Sequence, residues 1–228
     1  MKTSAHNLSI KTKALLLGAA ALGTLISQAT AATETITLTM PPGFCLKANN
    51  LKVGDNSLNA VLPNVPPESQ VLKYFNGNYH ADIFDGSVWL DATTGDPSGT
   101  KVSPGEGFFF FNPTSQDLQV TLTGTVPQGL ISVCFNPGFN LVGSPVPRSF
   151  SVTAPSGFPL VLDMQILRFD CATQRYRAFI IGECGFGEMC LFDGETGDPA
   201  APIPVGEGFF VFNPGIRPEC WIFNFSVE

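Results

Sequence analysis

Charge is scarce in this chain, and basic charge is the scarcest part of it. Asp, Glu, Lys and Arg make up 14% of the 228 residues, and 12 basic residues face 19 acidic ones. A typical soluble domain has about 25% charged residues. Because binding to nucleic acid depends on basic clusters, we expect no nucleic-acid partner. Apolar residues reach 44% and include 20 Phe, which is enough to fill a core, while 23 Gly and 19 Pro indicate many turns.

The chain also lacks an apolar run long enough to cross a bilayer. The run from Ala14 to Ile26 is shorter than the roughly 20 residues that a membrane-spanning helix needs. It follows three lysines and precedes small residues that end at Ala31, which is the order of a cleavable signal peptide for bacterial export. We therefore predict a signal peptide over residues 1–31, a mature chain without a transmembrane anchor, and a secreted, extracellular or cell-surface location.

No long amphipathic helix is predicted, and the rest of the chain contains two copies of one segment. Pro42–Leu46 matches Pro137–Leu141, and further along Pro104–Pro113 matches Val205–Pro214. These matches keep the same order in both copies, which indicates an internal duplication. The chain is therefore divided into the signal peptide, repeat one at residues 32–126 and repeat two at residues 127–228, which is the cysteine-rich copy.

Repeat two is slightly longer than repeat one. The offset between matching residues grows along the chain, which places insertions around Cys171 and between residues 182 and 189. Because insertions are tolerated best at the surface, we expect loops at both places.

The local patterns predict an all-β fold. Short segments rich in Phe, Val, Ile and Thr are bounded by Gly, Pro, Asn and Asp, which is typical of a sandwich or a small barrel. We predict two tandem β-sandwich or small-barrel repeats of about 95 residues each, with a short helical turn at most. That turn is expected between Asp55 and Leu62, capped by Asp55 or Asn56.

Three segments give more detailed expectations. Gln119–Gly124 alternates between apolar and polar residues, so one face of this strand is expected to be buried and the other wet. Phe108–Phe111 does not alternate, which predicts a central strand covered on both faces, by the partner sheet on one side and by a loop or the other repeat on the other. Asn76-Gly77 is the strongest hairpin signal in the chain.

The opening and closing motifs carry a resemblance. Pro-Gly-Phe-x-Leu at the start of each copy and Pro/Val-Gly-Glu-Gly-Phe-Phe-x-x-Asn-Pro near its end are similar to repeats of uncharacterised secreted bacterial proteins. The similarity covers residues 35–228. It implies export, duplication and a β fold, and it implies no catalytic or binding residues.

Six cysteines follow the signal peptide, and an even number in an exported chain predicts disulfide bonds. We expect Cys184 to pair with Cys190 first of all, and Cys134 with Cys220 is a way to join the ends of repeat two. With Cys171, the residues Cys184 and Cys190 are expected to pin the inserted loops of repeat two. A zinc site is not expected, because the mature chain has no Cys-x-x-Cys spacing and one His. The disulfide candidates are Cys45, Cys134, Cys171, Cys184, Cys190 and Cys220.

Residues with catalytic potential are few. His80 is the single mature histidine, and no Gly-x-Ser-x-Gly turn accompanies it, so it is interpreted as a solvent-facing strand residue. Glu106 and Glu207 lie in identical Gly-Glu-Gly settings, which invites comparison with the two carboxylates of a glycosidase. We favour a structural role, in which each Glu accepts backbone N–H groups at a bulge or at the tight start of a strand.

Two weaker hypotheses concern ligands, and no other cofactor is expected. Asp193, Glu195 and Asp198 concentrate carboxylates in a turn, as calcium loops do, although Asx turns explain the same residues. Aromatic side chains that border polar groups can stack on sugar rings. The candidates for such stacking are Tyr79, Trp89, Tyr176 and Trp221.

Two functions follow from these patterns, and an enzyme is disfavoured. The first is a non-enzymatic structural or assembly protein, which associates with itself or with other extracellular components through apolar faces and strand edges. The alternative is an extracellular binding module for a carbohydrate or protein ligand. Self-association would support the first function, and a saturable ligand would support the second.

Overall fold

The computed structural model describes residues 32–185 and 187–227, and the predicted signal peptide lies outside them. The described chain is nearly all β, with fourteen strands, the one-turn helix α1 at Leu58–Val61 and a 3-10 turn at Ala154–Ser156. No helix in this part of the chain is long and apolar enough to cross a membrane. The strands are β1 Thr33–Met40, β2 Gly43–Ala48, β3 Gln70–Phe75, β4 Asn78–Phe84, β5 Trp89–Asp91, β6 Gly107–Asn112, β7 Leu118–Thr125, β8 Gly129–Phe135, β9 Gly138–Gly143, β10 Gln165–Asp170, β11 Arg175–Gly185, β12 Glu188–Asp193, β13 Gly208–Asn213 and β14 Glu219–Phe225.

Each repeat contributes one five-stranded and one two-stranded sheet. Repeat one has the order β2-β6-β3-β4-β5 and the pair β1-β7, and repeat two has β9-β13-β10-β11-β12 and the pair β8-β14. All strand pairs within the sheets are antiparallel. In each repeat the two sheets enclose a separate hydrophobic cluster. The predicted sandwich architecture is therefore confirmed, whereas none of these four sheets closes into a small barrel.

Strand β7 shows why alternation predicts one buried face. Val120 and Leu122 are buried in the core of repeat one, while the threonines between and after them face solvent. On β1, Leu38 lies opposite Val120 and Met40 lies opposite Leu118, and both enter the same core. Because side chains alternate across each strand, the β1–β7 pair has one face in the core and one face in solvent.

Strand β6 is covered on both faces, as its unbroken aromatic run predicts. It lies between β2 and β3. Phe108 and Phe110 fill the core of repeat one, whereas Phe109 points the other way into a third cluster shared by the two repeats. That cluster has four buried members, which are Leu46, Phe109, Leu141 and Phe210. Neither five-stranded sheet therefore has a wholly solvated face.

The closing Gly-Glu-Gly motifs lie where the two repeats meet. The N–H of Ala48 donates to the carbonyl of Gly206 at 2.9 Å, and the N–H of Gly143 donates to the carbonyl of Gly105 at 3.0 Å. A Cβ on Gly208 would lie 2.4 Å from the carbonyl oxygen of Lys47. Glycine is required here because the backbones of the two repeats approach closely. The described residues accordingly belong to one compact unit.

Of two local expectations, the structure confirms one and modifies the other. The hairpin turn is as predicted, since Asn76 and Gly77 have φ of 49° and 82° between β3 and β4. Helix α1 is also present, but its N-cap is Ser57, and the predicted capping by Asp55 or Asn56 is wrong. Asp55 instead accepts the Ser57 N–H at 3.0 Å, as in an Asx turn.

All six cysteines are paired, which confirms the predicted disulfide bonding. Cys184 pairs with Cys190 and Cys134 pairs with Cys220. Cys171 does not pin a loop of repeat two to its own repeat, because it pairs with Cys45 and links the two repeats across 126 residues.

The second insertion is also not a simple loop. The inserted residues extend the hairpin of β11 and β12, and the Cys184–Cys190 disulfide closes its far end. Extra residues can continue an antiparallel ladder, which keeps their backbone groups hydrogen-bonded.

Candidate functional site

Two of the four predicted stacking residues are core residues. Trp89 and Trp221 are 1% and 2% exposed, so the prediction that they stack on a ligand is wrong. Each ring fills the sandwich of its own repeat, and each indole N–H is satisfied by a backbone carbonyl, Leu62 for Trp89 and Ser156 for Trp221. A sandwich core uses the largest aromatic side chains for burial when their polar atom can reach a partner.

The other two stacking candidates are exposed and lie near each other. Tyr79 and Tyr176 are 49% and 45% exposed. They hold matching places in the two repeats, since Tyr79 is opposite Tyr74 in the β3–β4 register and Tyr176 is opposite Phe169 in the β10–β11 register. Partial burial raises the pKa of both phenols, and for Tyr176 the neighbouring Tyr79 raises the pKa further. Both side chains therefore remain neutral hydroxyls at physiological pH.

These tyrosines border a small cavity between the repeats, which we call the aromatic cleft. Its volume is about 240 Å³. Tyr74 and Phe210 contact each other edge to face, with ring centroids 5.2 Å apart and an interplanar angle of 83°. Phe210 is 4% exposed and belongs to the core shared by the repeats, so the cleft has a packed floor. The lining residues are Tyr74, Tyr79, Phe139, Leu167, Tyr176 and Phe210.

A larger and more polar cavity continues from the aromatic cleft. It measures about 620 Å³ and shares Tyr74 and Phe139 with the cleft. Asn76, Asn136 and Glu106 are among its polar lining residues. The two cavities together present aromatic rings next to amide and carboxylate groups. This combination is typical of sites that bind small polar molecules with an apolar face.

Glu106 and Glu207 are each engaged within their own repeat. Glu106 accepts the Ser103 N–H at 2.6 Å and lies 3.1 Å from Nζ of Lys73. Glu207 makes a two-pronged pair with Arg168, at 2.5 Å to Nε and 2.9 Å to Nη2. The backbone contact of Glu106 is the kind expected for the structural role of this motif.

The proposed calcium residues form a turn. One oxygen of Asp193 accepts the N–H groups of Glu195 and Thr196 at 2.9 and 3.2 Å, and its other oxygen pairs with Arg177. These N–H groups, the Glu195 N–H first, hold the pKa of Asp193 below its usual range. The N–H of Asp198 donates to the Thr196 hydroxyl instead. The contacts of Asp193, Glu195 and Asp198 are thus those of an Asx turn with an ion pair.

Sequence reasoning missed four of the six residues that line the cleft. Tyr74 had a usable signal, because the Asn-Gly hairpin places it directly opposite Tyr79. Phe139, Leu167 and Phe210 have no such signal, since their place in the cleft depends on how the two repeats pack.

No protein-family model, curated protein or solved structure matches the chain.

Proposed function

We propose that this protein is an exported, non-enzymatic binding module and that its aromatic cleft binds carbohydrate. The observation that carries the proposal is the meeting of Tyr79 and Tyr176, one from each repeat, at the mouth of a cleft with a packed aromatic floor. The binding surface is therefore completed only when the two repeats pack together.

The chemistry of the cleft suits a sugar ring. The C–H face of a pyranose is apolar and packs against the face of an aromatic ring, while its hydroxyls need hydrogen-bond partners. Tyr79 and Tyr176 supply both, since each has an exposed ring and a neutral hydroxyl. The adjoining polar cavity, with Asn76 and Asn136, offers room for a second sugar unit.

Three disulfides support an extracellular place of action. Such bonds persist in oxidising compartments and are rare in the cytosol. The signal-peptide pattern of residues 1–31 agrees with export.

Calorimetric titration with soluble oligosaccharides tests the proposal. A panel of β-1,4-glucan, chitin, β-1,3-glucan and mannan hexasaccharides covers the common linkages. We expect at least one to bind saturably. Each of Tyr79→Ala and Tyr176→Ala should weaken that binding by about 2- to 10-fold, since an aromatic contact contributes roughly 0.5–1.5 kcal/mol.

Ile216→Ala is a matched control, because Ile216 is 92% exposed and does not line the cleft. Circular dichroism and thermal melting should show that all three variants fold. The proposal fails if no member of the panel binds at millimolar concentration, or if Ile216→Ala weakens binding as much as the tyrosine variants do.

Assembly is the second candidate function, and one surface favours it. On the outer face of the β8–β14 pair, Leu130 is 79% exposed and Ile222 is 49% exposed. Sedimentation velocity over a wide concentration range tests this function. Growth to larger species that Leu130→Ser with Ile222→Ser abolishes would support assembly, and a monomer at every concentration would leave the binding module as the proposal.

A further inference from the structure

Repeat one contains a fully buried carboxylate. Asp82 on β4 is 0% exposed, and neither of its oxygens has a hydrogen-bond partner among the described residues. A carboxylate in an apolar environment is costly unless an opposite charge or several N–H groups compensate it. Asp82 therefore marks a place where the fold calls for a cation.

Two other donors face Asp82. The β4–β5 register places Asp91 directly opposite Asp82, and His80 lies two residues earlier on β4, on the same face of the strand. His80 Nε2 is 3.4 Å from Oδ1 of Asp82 and 3.8 Å from Oδ2 of Asp91. Oδ1 of Asp91 accepts hydrogen bonds from N–H groups of the following turn. Oδ2 is therefore the oxygen that is available to His80.

In repeat two, an arginine of the chain itself supplies the positive charge at the equivalent position. Its equivalent residues, Arg177, Phe179 and Asp193, occupy the same register on β11 and β12. Arg177 pairs with Asp193, and it also lies 5.7 Å from the centre of the Phe179 ring. In repeat two one arginine thus satisfies the single carboxylate, and an aromatic ring replaces the second.

The other charged groups near His80 do not supply that cation in repeat one. Lys73, which is opposite His80 on β3, is bound to Glu106 at 3.1 Å and to the carbonyl of Lys101 at 2.7 Å. The amino group of Lys101 lies 3.6 Å from Asp55. Among the described residues, Asp82 and Asp91 are left with His80 as the neighbouring nitrogen side chain.

We propose that His80, Asp82 and Asp91 bind a divalent transition-metal ion, with zinc as the best fit. Zinc takes imidazole nitrogen and carboxylate oxygen at about 2.0–2.2 Å, so two donors on one tetrahedral ion lie roughly 3.3–3.6 Å apart. The distance between His80 and Asp82 is already in this range. An imidazole ligand favours zinc over calcium or magnesium, which prefer oxygen.

The third donor has to move to complete the site. Among the described residues, no group of three His, Cys, Asp or Glu side chains is placed so that it could hold a metal ion without movement. Asp91 needs to approach by a few tenths of an ångström, and its side chain, 25% exposed, lies at the rim where such a shift is easy. The ion would join the edge strand β5 to β4 and neutralise Asp82. This site is independent of the aromatic cleft, because Tyr79 and His80 point to opposite faces of β4.

The test is calorimetric titration of the purified, tag-free protein with zinc chloride after removal of metal by a chelator. We expect one zinc per chain. His80→Arg and Asp82→Phe each install the residue found in repeat two and should keep the fold while weakening zinc binding by at least about 10-fold. Asp55→Asn removes a carboxylate that is 61% exposed and should leave binding unchanged. Calcium chloride should not compete for the site.

A second readout does not depend on the variants. In the native protein, zinc should shift the NMR resonances of the His80 ring. The proposal is overturned if the native protein binds no zinc at micromolar concentration, if the folded His80→Arg and Asp82→Phe variants bind it as tightly, or if the His80 resonances do not respond. None of these results would affect the carbohydrate proposal, which the tyrosine variants test separately.

Discussion

The two repeats share one strand order, but they differ in the side chains at equivalent strand positions and in the partners of those side chains. Repeat one places His80 beside the buried Asp82, while repeat two places Arg177 and Arg168 beside Phe179. The backbone register is the same in both. The shared scaffold therefore keeps the same packing geometry while its polar positions differ, and these differences are where separate functions of the repeats are to be sought.

Their covalent links differ as well. Two of the three disulfides lie inside repeat two, and the third joins Cys45 of repeat one to Cys171 of repeat two. Repeat one has no disulfide of its own, because Cys45 is its single cysteine. It is held covalently through its contact with repeat two. The junction is thus both a stabilising element and the wall of the aromatic cleft.

The largest expected effect comes from cutting the link between the repeats. Cys45→Ala with Cys171→Ala should lower the free energy of unfolding by roughly 5 kcal/mol, since it releases a 126-residue loop in the unfolded chain. Cys184→Ala with Cys190→Ala, six residues apart, should cost roughly 2 kcal/mol. Urea unfolding measures both. Equal losses would show that loop length does not determine the contribution of these bonds.

Truncation of the shared core should affect both repeats at once. Phe109→Ala and Phe210→Ala each remove a buried ring from the junction and should each cost about 3–5 kcal/mol. Trp89 and Trp221 are natural probes, because each is buried in the core of one repeat. With Trp89→Phe or Trp221→Phe as the background, fluorescence follows one repeat at a time. A loss confined to the repeat that holds the substitution would contradict a shared core.

The smallest expected effect is on the free energy of unfolding at acid pH. It allows a comparison of the two turns that follow β5 and β12. The N–H groups of Thr93 and Glu195 are the main causes that lower the pKa of Asp91 and of Asp193. A lowered folded-state pKa stabilises the protein fully above the unfolded value of about 3.9, and this stabilisation is lost as the pH falls through the folded value. Asp91→Asn and Asp193→Asn should each flatten the fall of the unfolding free energy below about pH 4.

Unfolding at a series of pH values in the presence of a chelator checks this expectation. Arg177 also lowers the pKa of Asp193, and His80 also lowers the pKa of Asp91, so both variants should show the change. An unchanged pH dependence in both variants would contradict the role given to these turns.

Much of the fold follows from local patterns in the sequence. The Asn76-Gly77 turn, the alternation in β7 and the doubly covered β6 were all predictable, because each depends on residues close in the chain. The Cys184–Cys190 pair was predictable for the same reason, since a short hairpin brings the two cysteines together. The prediction of Asp55 or Asn56 as the helix cap was wrong, because several polar residues in a row compete for one position.

Only two of the six residues that line the aromatic cleft were predicted from the sequence. Tyr79 and Tyr176 were identified from the sequence, but Trp89 and Trp221 were wrongly placed beside them as ligand-stacking residues. An aromatic residue in a strand fits a core and a binding surface equally well, and the strand face that it occupies relative to the other sheet decides between them.

The sequence by itself determined the all-β class, the two sets of matching motifs and the even set of cysteines, because periodicity, turn residues and composition are local properties. The tertiary structure alone decided that Cys45 pairs with Cys171, that the Gly-Glu-Gly motifs meet the opposite repeat, and that the aromatic cleft forms at their junction. These features depend on contacts between residues that are far apart in the chain. Such contacts follow from how two complete sheets pack, and no short stretch of sequence encodes that geometry.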